Sequence, residues 1–453
     1  MTRIEGDPAP AASGHGDAAE TGADLTAAAE VATAAVPPEI LAQSLREYLR
    51  GWLARVRGGD SGVLPVVVGL VVVAIAFEVL TPENAFLRPS NLVFVFGLSA
   101  VYMVLAMAEI VVLLLGEIDL SIGAVGLLGG TIAYKLVQQP GPDWPWWAAI
   151  LATLLFCGLI GALQGTLVAR VRIPSFVVTL GGFLLFSGIL VLVLGGADAS
   201  VSVSPASPNQ SVLYNLIQGV INPVASWVAL AVLVLLSGAG LWRRSRDRRR
   251  SGLVAPPGSL VALRVAMIAA IGVATVLICA ATSTPGVPWS IPVVLVVLGL
   301  WTVLLRRTPF GRHVYAIGGS AEAARRAGIG IAGVRTWCFV LASATAGFAG
   351  ILLGSFFNGQ YSTNIGDPSQ LLLYSVAAAV IGGTSLFGGR GKPIHGLLGG
   401  LLIGGIAYGT SLLSLGNLSI PLEYILPGGV LLAAVLVDVL SRRGARTGSV
   451  VRV

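Results

Sequence analysis

The stretch VFVFGLSAVYMVLAMAEIVVLLL, residues 93–115, contains a single charged side chain, that of Glu109. An α-helix needs about 20 apolar residues to cross a hydrocarbon core of about 30 Å. Similar runs recur along the chain, which is 55% hydrophobic and 11% charged, with a mean hydropathy of +0.87. A soluble globular protein carries about 25% charged residues. The sequence therefore predicts a protein that lies in a membrane.

The apolar runs predict helices rather than the strands of a barrel. In lipid every backbone N–H and C=O must be paired internally, which leaves only helices or closed barrels. The runs are long and lack the strict alternation of barrel strands. We therefore predict an all-α, polytopic transmembrane helical bundle with about twelve spans. The predicted spans are 63–80, 93–115, 119–138, 147–170, 175–196, 224–242, 260–281, 288–305, 334–357, 370–387, 394–415 and 421–440.

The distribution of basic residues gives this span count an independent test. With a cytoplasmic N-terminus, the outward connections hold only Arg88 and Lys135, and nearly all other basic residues of the connections face the cytoplasm. Cytoplasmic loops carry such an excess of Lys and Arg. We therefore predict cytoplasmic N and C termini, and the net charge of +7 does not indicate nucleic-acid binding. If two spans were missed or two were added, the basic residues would still face the cytoplasm, so ten or fourteen spans are alternatives. A broken or re-entrant helix is expected after Glu117.

The regions outside the spans differ in composition. Residues 1–38 have few large apolar side chains and are predicted to be a disordered cytoplasmic tail. Residues 39–60 fit either an amphipathic helix on the inner membrane surface or a basic juxtamembrane helix that leads into the first span. The transmembrane domain covers residues 61–440, and residues 441–453 form a second cytoplasmic tail. The long loop 197–222 is polar and is expected to face outside.

One cytoplasmic segment, residues 309–333, is too polar to cross the membrane and too long for a tight turn. Ser320 can cap a helix that begins at Ala321, Glu322 suits its first turn, and Gly328 is placed to end it. Such a short helix cannot bury a core of its own. We therefore expect it to dock on another protein, although a helix that lies on the membrane surface is the alternative.

Two further stretches are rich in glycine and polar residues. GEIDLSIG, residues 116–123, places Glu117 and Asp119 where the chain enters lipid, and IGGTSLFGGRG, residues 381–391, breaks two apolar runs. The Gly391–Lys392 pair resembles the end of a phosphate-binding P-loop, but the Ser or Thr and the earlier glycine of that motif are absent. No nucleotide site is predicted. The spacing of the cysteines, which are Cys157, Cys279 and Cys338, suggests neither a disulfide framework nor a metal site.

Carboxylates in or near the predicted spans are functional candidates by default, because burying them is costly. They are Glu78, Glu109, Glu117 and Asp119. For Glu117 and Asp119 we expect a structural role at the helix break. Asp119 in particular can accept backbone N–H groups at the start of the next helix.

Residues 116–123, 315–329 (YAIGGSAEAARRAGI) and 381–391, in this order, resemble the permease subunits of bacterial monosaccharide ABC importers, the ribose, xylose, arabinose and galactoside group. The resemblance covers roughly residues 63–440. The length of the chain and its large middle section, residues 197–287, look most like the xylose-type branch. The family residues are carried over at Gly116, Glu117, Asp119, Ser121, Gly382, Gly383, Ser385, Gly388 and Gly389.

This resemblance implies a multi-pass protein of the bacterial cytoplasmic membrane, surrounded by lipid and working in a complex. Its partners would be a second permease copy, cytoplasmic ABC ATPase subunits and a periplasmic or lipid-anchored sugar-binding protein. ATP and Mg²⁺ would bind the ATPase, so this chain is expected to have no cofactor, catalytic residue or metal. The coupling helix that contacts the ATPase would comprise Ala321, Glu322, Arg325, Arg326, Gly328 and Ile329.

The predicted function is passage of a monosaccharide, with a pentose such as xylose favoured. A neutral, hydroxyl-rich cargo calls for uncharged hydrogen-bonding side chains along the path, and the candidates are Gln164, Asn358, Gln360, Tyr361 and Gln370. A permease for nucleosides or branched-chain amino acids is an alternative. An ion-coupled secondary transporter is a more distant one, since it needs a carboxylate relay or cation site near the midplane. A purely structural membrane protein would not explain the three ordered motifs.

Overall fold

The structure is a computed structural model that describes residues 46–48, 50, 51, 53, 62–196, 198–252, 255–362, 365–413 and 418–447. The predicted tail 1–38, most of the predicted helix 39–60 and the last residues of the tail 441–453 lie outside this set. The described chain is mostly helical. Its helices are α1 (Leu64–Leu80), α2 (Pro89–Leu113), α3 (Ile122–Val137), α4 (Trp146–Thr166), α5 (Ser175–Leu194), α6 (Pro208–Gln218), α7 (Pro223–Arg250), α8 (Gly258–Ala280), α9 (Ser290–Arg307), α10 (Pro309–Gly319), α11 (Ala321–Arg326), α12 (Ile331–Phe356), α13 (Pro368–Ile381), α14 (Pro393–Leu412) and α15 (Ser419–Thr447).

The prediction of a polytopic helical membrane protein is confirmed. Within the described residues, 8 helices are long and apolar enough to cross a membrane, by length and composition. Shorter apolar helices lie at Leu64–Leu80, Ile122–Val137, Pro368–Ile381 and Pro421–Leu436. Each of the twelve predicted spans overlaps one of these helices, although the predicted span 370–387 runs past the end of α13 at Ile381 into the loop that follows. How many of them cross the bilayer, and on which side the termini lie, stay predictions.

Proline and glycine set several helix boundaries. A proline occupies the first turn of α1, α2, α6, α10, α13 and α14, where its missing N–H would have no helical partner anyway. Two helices run past the predicted span ends, α7 to Arg250 and α15 to Thr447. Arginine is a good helix former, so hydropathy marks the edge of the lipid rather than the end of the helix.

The most buried helix is α2, whose side chains from Ser99 to Leu113 are all buried. It packs against α12, α13 and α14, while α12 also packs along α3 and α4. The two short apolar helices α3 and α13 lie inside this core. The outer faces of α4 and α5 remain exposed and apolar, as expected for lipid-facing helices, with Leu155 and Leu159 each 70% exposed.

Glycines spaced four residues apart bring α14 against α2, since small residues at this spacing let helix backbones approach closely in lipid. An added Cβ at Gly400 would lie 2.5 Å from the backbone nitrogen of Met103. A Cβ added to the glycine one turn before or one turn after Gly400 would also lie too close to α2. The full antiparallel register is Gly396 against Met107, Gly400 against Met103 and Gly404 against Ser99.

The polar stretch 197–222 has more structure than a loop. Strand β1 (Ser200–Ser202) pairs antiparallel with β4 (Gln360–Ser362), and β2 (Val220–Ile221) pairs with β3 (Val287–Pro288). Between β1 and β2, helix α6 binds the end of α12. The Ile217 N–H donates to Ser355 Oγ at 2.8 Å, and that hydroxyl donates to the Tyr214 carbonyl at 2.6 Å. This stretch therefore covers the end of α12.

The chain divides into two units. One contains residues 232–269 with the described residues among 46–53. In it Gly238 of α7 faces Val265 of α8, and the Arg246 guanidinium lies 5.4 Å from the centre of the Trp242 ring. The other contains residues 59–231 and 270–453, and it holds the buried core and all three sequence motifs.

We predict that Gly400→Ala lowers the free energy of unfolding by about 1–3 kcal/mol, because the added methyl overpacks the α2–α14 contact. Gly188→Ala is the control, since an added Cβ at Gly188 meets nothing within 4 Å. Alanine also favours a helix over glycine, so the control should keep or raise stability. Thermal unfolding midpoints of the two variants in the same detergent test this, and equal midpoints would contradict the close helix contact.

Candidate functional site at the junction of three motifs

The three sequence motifs, which are far apart along the chain, meet at one end of the helical core. The first is the turn 114–121 between α2 and α3, the second is the end of α10, and the third is the loop 382–392 between α13 and α14. The Gly389 N–H donates to the Leu114 carbonyl at 2.9 Å. We call these three segments the motif junction.

Backbone atoms rather than side chains make the closest contacts of the motif junction. A Cβ added at Gly318, in the last turn of α10, would overlap the Leu114 carbonyl. One added at Gly388 would lie 3.0 Å from the Gly116 nitrogen. Gly116, Gly388 and Gly389 have φ angles of 77°, 82° and 71°, in the left-handed region that favours glycine. Space therefore favours glycine at Gly318, backbone conformation favours it at Gly116, and both reasons apply at Gly388 and Gly389.

Two side-chain contacts tie neighbouring helices to the motif junction. The Tyr315 hydroxyl of α10 donates to the Gly391 carbonyl at 2.7 Å. Burial raises the pKa of Tyr315, and the charge of Arg306 acts in the opposite direction, so the hydroxyl keeps its proton at neutral pH. At the start of α12, Arg335 pairs with Glu117 at 3.3 Å, with side chains 27% and 16% exposed. The structural role expected for Glu117 is this ion pair.

A chain of buried polar groups runs inward from the turn. Asp119 Oδ1 accepts from the Ser121 N–H at 2.9 Å and from the Ser121 hydroxyl at 2.6 Å. Gln164 of α4 donates through Nε2 to Ser121 Oγ at 2.9 Å. At the other end, the Asp119 N–H lies 3.4 Å from Glu109 Oε1 of α2. As expected, Asp119 accepts a backbone N–H at the start of the next helix. These hydrogen-bonded polar groups connect α2, the turn and α4.

The loop 382–392 is folded around His395. A Cβ at Gly382 would overlap the His395 carbonyl, and Gly383 lies against the ring. Thr384 Oγ1 is 3.3 Å from His395 Nδ1. The Ser385 N–H donates to the Arg390 carbonyl at 2.9 Å, which closes the loop on itself.

Helix α11 projects from the motif junction as the sequence predicts. Ser320 Oγ accepts from the Ala323 N–H at 3.2 Å, and Gly328 follows the helix with φ 80°. Glu322 pairs with Arg325 at 3.4 Å and with Arg326 at 3.2 Å, and the two arginine side chains are 70% and 80% exposed. Only Ser320 separates α11 from α10. A force on α11 would therefore reach the motif junction through a short connection.

The structure does not gather the predicted path residues into one cluster. Gln164 belongs to the buried polar chain, whereas Tyr361 packs on Tyr134 with ring centres 5.3 Å apart and donates to the Gly350 carbonyl. Gln370 donates to Glu423 at 2.9 Å. Asn358 and Gln360 are exposed. Their roles along a path stay predictions.

Sequence reasoning missed α10, Arg335 and the link between Ser121 and Gln164. A signal for α10 was present, because Thr308 caps the helix through a bond from the Gly311 N–H at 3.2 Å and Pro309 follows it. No comparable signal exists for Arg335 or Gln164, whose partners are distant in sequence.

Residues 91–435 match the family model described as a branched-chain amino acid transport system, permease component. The chain belongs to this permease family. It is 32% identical to the xylose transport system permease protein XylH of Escherichia coli K12, over 83% of this chain and 92% of the relative. It is 27% identical to the D-allose permease AlsC of the same strain, over 82% and 89%, and 28% identical to the L-arabinose permease AraH of Azospirillum brasilense, over 87% and 93%. No solved structure matches the chain.

These matches place the chain among the permeases of sugar ABC transporters, with XylH the relative at 32% identity. Together with the apolar helices they assign it to the bacterial inner membrane as a multi-pass protein. The family description names branched-chain amino acids, whereas the relatives are named for sugars, so membership of the family does not identify the substrate.

We predict that Gly318→Ala damages the motif junction, because its methyl would overlap the Leu114 carbonyl. Stability should fall by about 1–3 kcal/mol, the usual cost of overpacking. The neighbouring Gly319→Ala is a matched control, since an added Cβ there meets nothing within 4 Å. Thermal unfolding and the transport rate should both distinguish the two variants, and identical behaviour would contradict the packing described here.

Proposed function

We propose that this chain is the membrane permease subunit of an ATP-driven importer and forms the translocation path for a monosaccharide, with a pentose such as xylose favoured. The observation that carries the proposal is the 32% identity to the xylose permease XylH across 83% of the chain. The allose and arabinose relatives support a sugar as the cargo class. A sugar-binding protein outside the membrane would deliver the cargo, and a second copy of this chain would complete the path.

Helix α11 is the proposed contact for the cytoplasmic ATPase, which would bind ATP and Mg²⁺ itself. Its charged side chains are exposed, and the ion pairs that they make with described residues lie within the helix, so they are accessible to a partner of opposite charge. Its short connection to α10 leads directly to the Leu114 carbonyl and to Gly389. Closure of an ATPase dimer would therefore act on the two helix breaks of the core. The translocation path would then open alternately to the two sides of the membrane.

A second candidate cargo is a branched-chain amino acid, because the description of the matching family model names this class. An ion-coupled transporter is less well supported. It would give α11 no purpose, and the buried carboxyl groups lie beside the motif junction rather than along a path.

Docking of the ATPase is tested by co-purifying the tagged chain with the ATPase of its own system. Arg325→Glu with Arg326→Glu should reduce the retained ATPase about tenfold or more, since about 1.4 kcal/mol of lost contact energy suffices for that factor. The control reverses two other exposed arginines, Arg248→Glu with Arg249→Glu, and should retain the ATPase. Equal retention by both variants would move the docking surface elsewhere. If the unaltered chain retains no ATPase, the importer proposal fails.

The cargo is tested by uptake of labelled xylose into vesicles that contain the complete complex, its binding protein and ATP. We expect xylose uptake that depends on ATP and is competed by unlabelled xylose but not by leucine. Uptake of leucine instead would favour the second candidate, and uptake that follows an ion gradient without ATP would favour a secondary transporter.

A further inference from the structure

Helices α7 and α8 form a hairpin that carries its charge at one end only. Helix α7 has no charged side chain before Arg243, and it then continues to Arg250 with six arginines and a single aspartate, Asp247. The part of α7 before Arg243 is about 20 residues long, which matches a hydrocarbon core of about 30 Å. Arg264 is the one charged side chain in the sequence of α8. We call residues Trp242–Arg250 together with Arg264 the basic end.

The side chains next to the basic end are apolar and exposed, as expected for helices that lipid surrounds. Leu235 and Leu236 of α7 are 71% and 69% exposed, and Met267 of α8 is exposed as well. Such side chains on a membrane span contact hydrocarbon. A phospholipid is therefore a neighbour that reaches both this apolar surface and the charged groups beside it.

Arg264 lies deeper in its predicted span than the arginines of α7. Its neighbour Val265 faces Gly238, and Gly238 precedes Arg243 by about 7.5 Å along the helix, at about 1.5 Å per residue. The Arg264 side chain is exposed, and it forms no hydrogen bond or ion pair with a described residue. An arginine in this position extends its long side chain toward the headgroup layer. There its guanidinium can bind a phosphate through two parallel hydrogen bonds.

Trp242 marks the level at which the headgroup layer begins. It directly precedes Arg243 and is 59% exposed. Tryptophan is enriched where hydrocarbon meets water, because its ring is amphipathic. The Arg246 guanidinium lies 5.4 Å from the centre of this ring, about one turn further along α7. The exposed ring and the arginines that follow it therefore match the apolar and the charged layers of a phospholipid.

The protein does not neutralise the charge of the basic end. Asp247 is the one carboxylate in the sequence 242–264, which also contains seven arginines. Within the part of the chain that the structure describes, none of the ion pairs involves these arginines. A basic segment next to a membrane span attracts anionic lipids. A free phosphate ion would meet the arginines but not the exposed apolar surface.

We propose that the basic end of the α7–α8 hairpin binds the phosphate groups of anionic phospholipids in the leaflet that it faces. Arg243 and Arg264 contact phosphates at the border with the hydrocarbon. The arginines up to Arg250 lie in the headgroup layer or within about 8 Å of it, the distance over which surface charge acts in physiological salt. This contact fixes the depth of the hairpin in the membrane and does not depend on which cargo the permease carries.

Lipid binding is tested with the purified full chain in detergent, by its melting temperature as phosphatidylglycerol is added. We expect phosphatidylglycerol to raise the melting temperature and the same concentration of neutral phosphatidylcholine not to do so. Arg243→Gln with Arg264→Gln should raise the phosphatidylglycerol concentration needed for half of this shift about tenfold or more, since each basic residue near an anionic surface changes affinity roughly fivefold. Equal stabilisation by both lipids, or an unchanged response of the variant, overturns the proposal.

Two matched variants separate the position of the charge from its presence. Arg325→Gln with Arg326→Gln also removes two exposed arginines, but from α11, and should respond to phosphatidylglycerol like the unaltered chain. Arg243→Lys with Arg264→Lys keeps both charges and should retain most of the response. If the α11 variant loses the response and Arg243→Gln with Arg264→Gln keeps it, the lipid contact belongs to α11 and the proposal is wrong.

Two other occupants of the basic end predict different results. Glycerol phosphate at the same concentration should not stabilise the chain, and stabilisation equal to that by phosphatidylglycerol would indicate a site for a free anion. If the basic end binds an acidic protein surface instead, phosphatidylglycerol will have no effect, and Arg243→Gln with Arg264→Gln will release the co-purified ATPase. Either result overturns the proposal.

Discussion

The hydrogen bond from the Gly389 N–H to the Leu114 carbonyl joins the two places where the core helices of this protein are interrupted. In a membrane an unpaired backbone group finds no water, so a broken helix must be satisfied by protein. Here the loop between α13 and α14 supplies the Gly389 N–H as the partner of the Leu114 carbonyl at the end of α2. Gly318, at the end of α10, packs against the same carbonyl. The position of α11 depends on this arrangement, because only Ser320 separates α11 from α10.

Contact between backbones has a mechanical consequence. Long side chains yield when they are pushed, whereas glycine contacts leave no atoms between one main chain and the next. Gly318 and Gly388 both lie in such contacts. Under the proposed function, a shift of α11 would therefore be passed to the ends of α2 and α13 without being absorbed by side-chain rearrangement. The row of glycines on α14 would let α2 and α14 remain packed while they move.

Hydropathy and local capping rules predicted much of this fold. Each predicted span overlaps a helix, and Ser320 and Gly328 bound α11 as their positions suggest. The spacing of the glycines of α14 indicates a close helix contact, although it does not identify α2 as the partner. These features depend on residues within one or two helical turns of each other, where sequence spacing determines geometry.

The convergence of the three motifs was beyond sequence reasoning, because their contacts join segments that are distant along the chain and consist largely of backbone atoms. Arg335 illustrates the problem, since nothing near it in sequence indicates that Glu117 is its partner. Helix α6 was missed for a related reason. Its residues are polar overall, and it is held by Ser355 and Phe356 of a distant helix. A motif rich in glycine is therefore better interpreted as a surface that another segment contacts than as a flexible loop. Under the proposed function, α11 as the ATPase contact and the two helix breaks would then move as one mechanical unit.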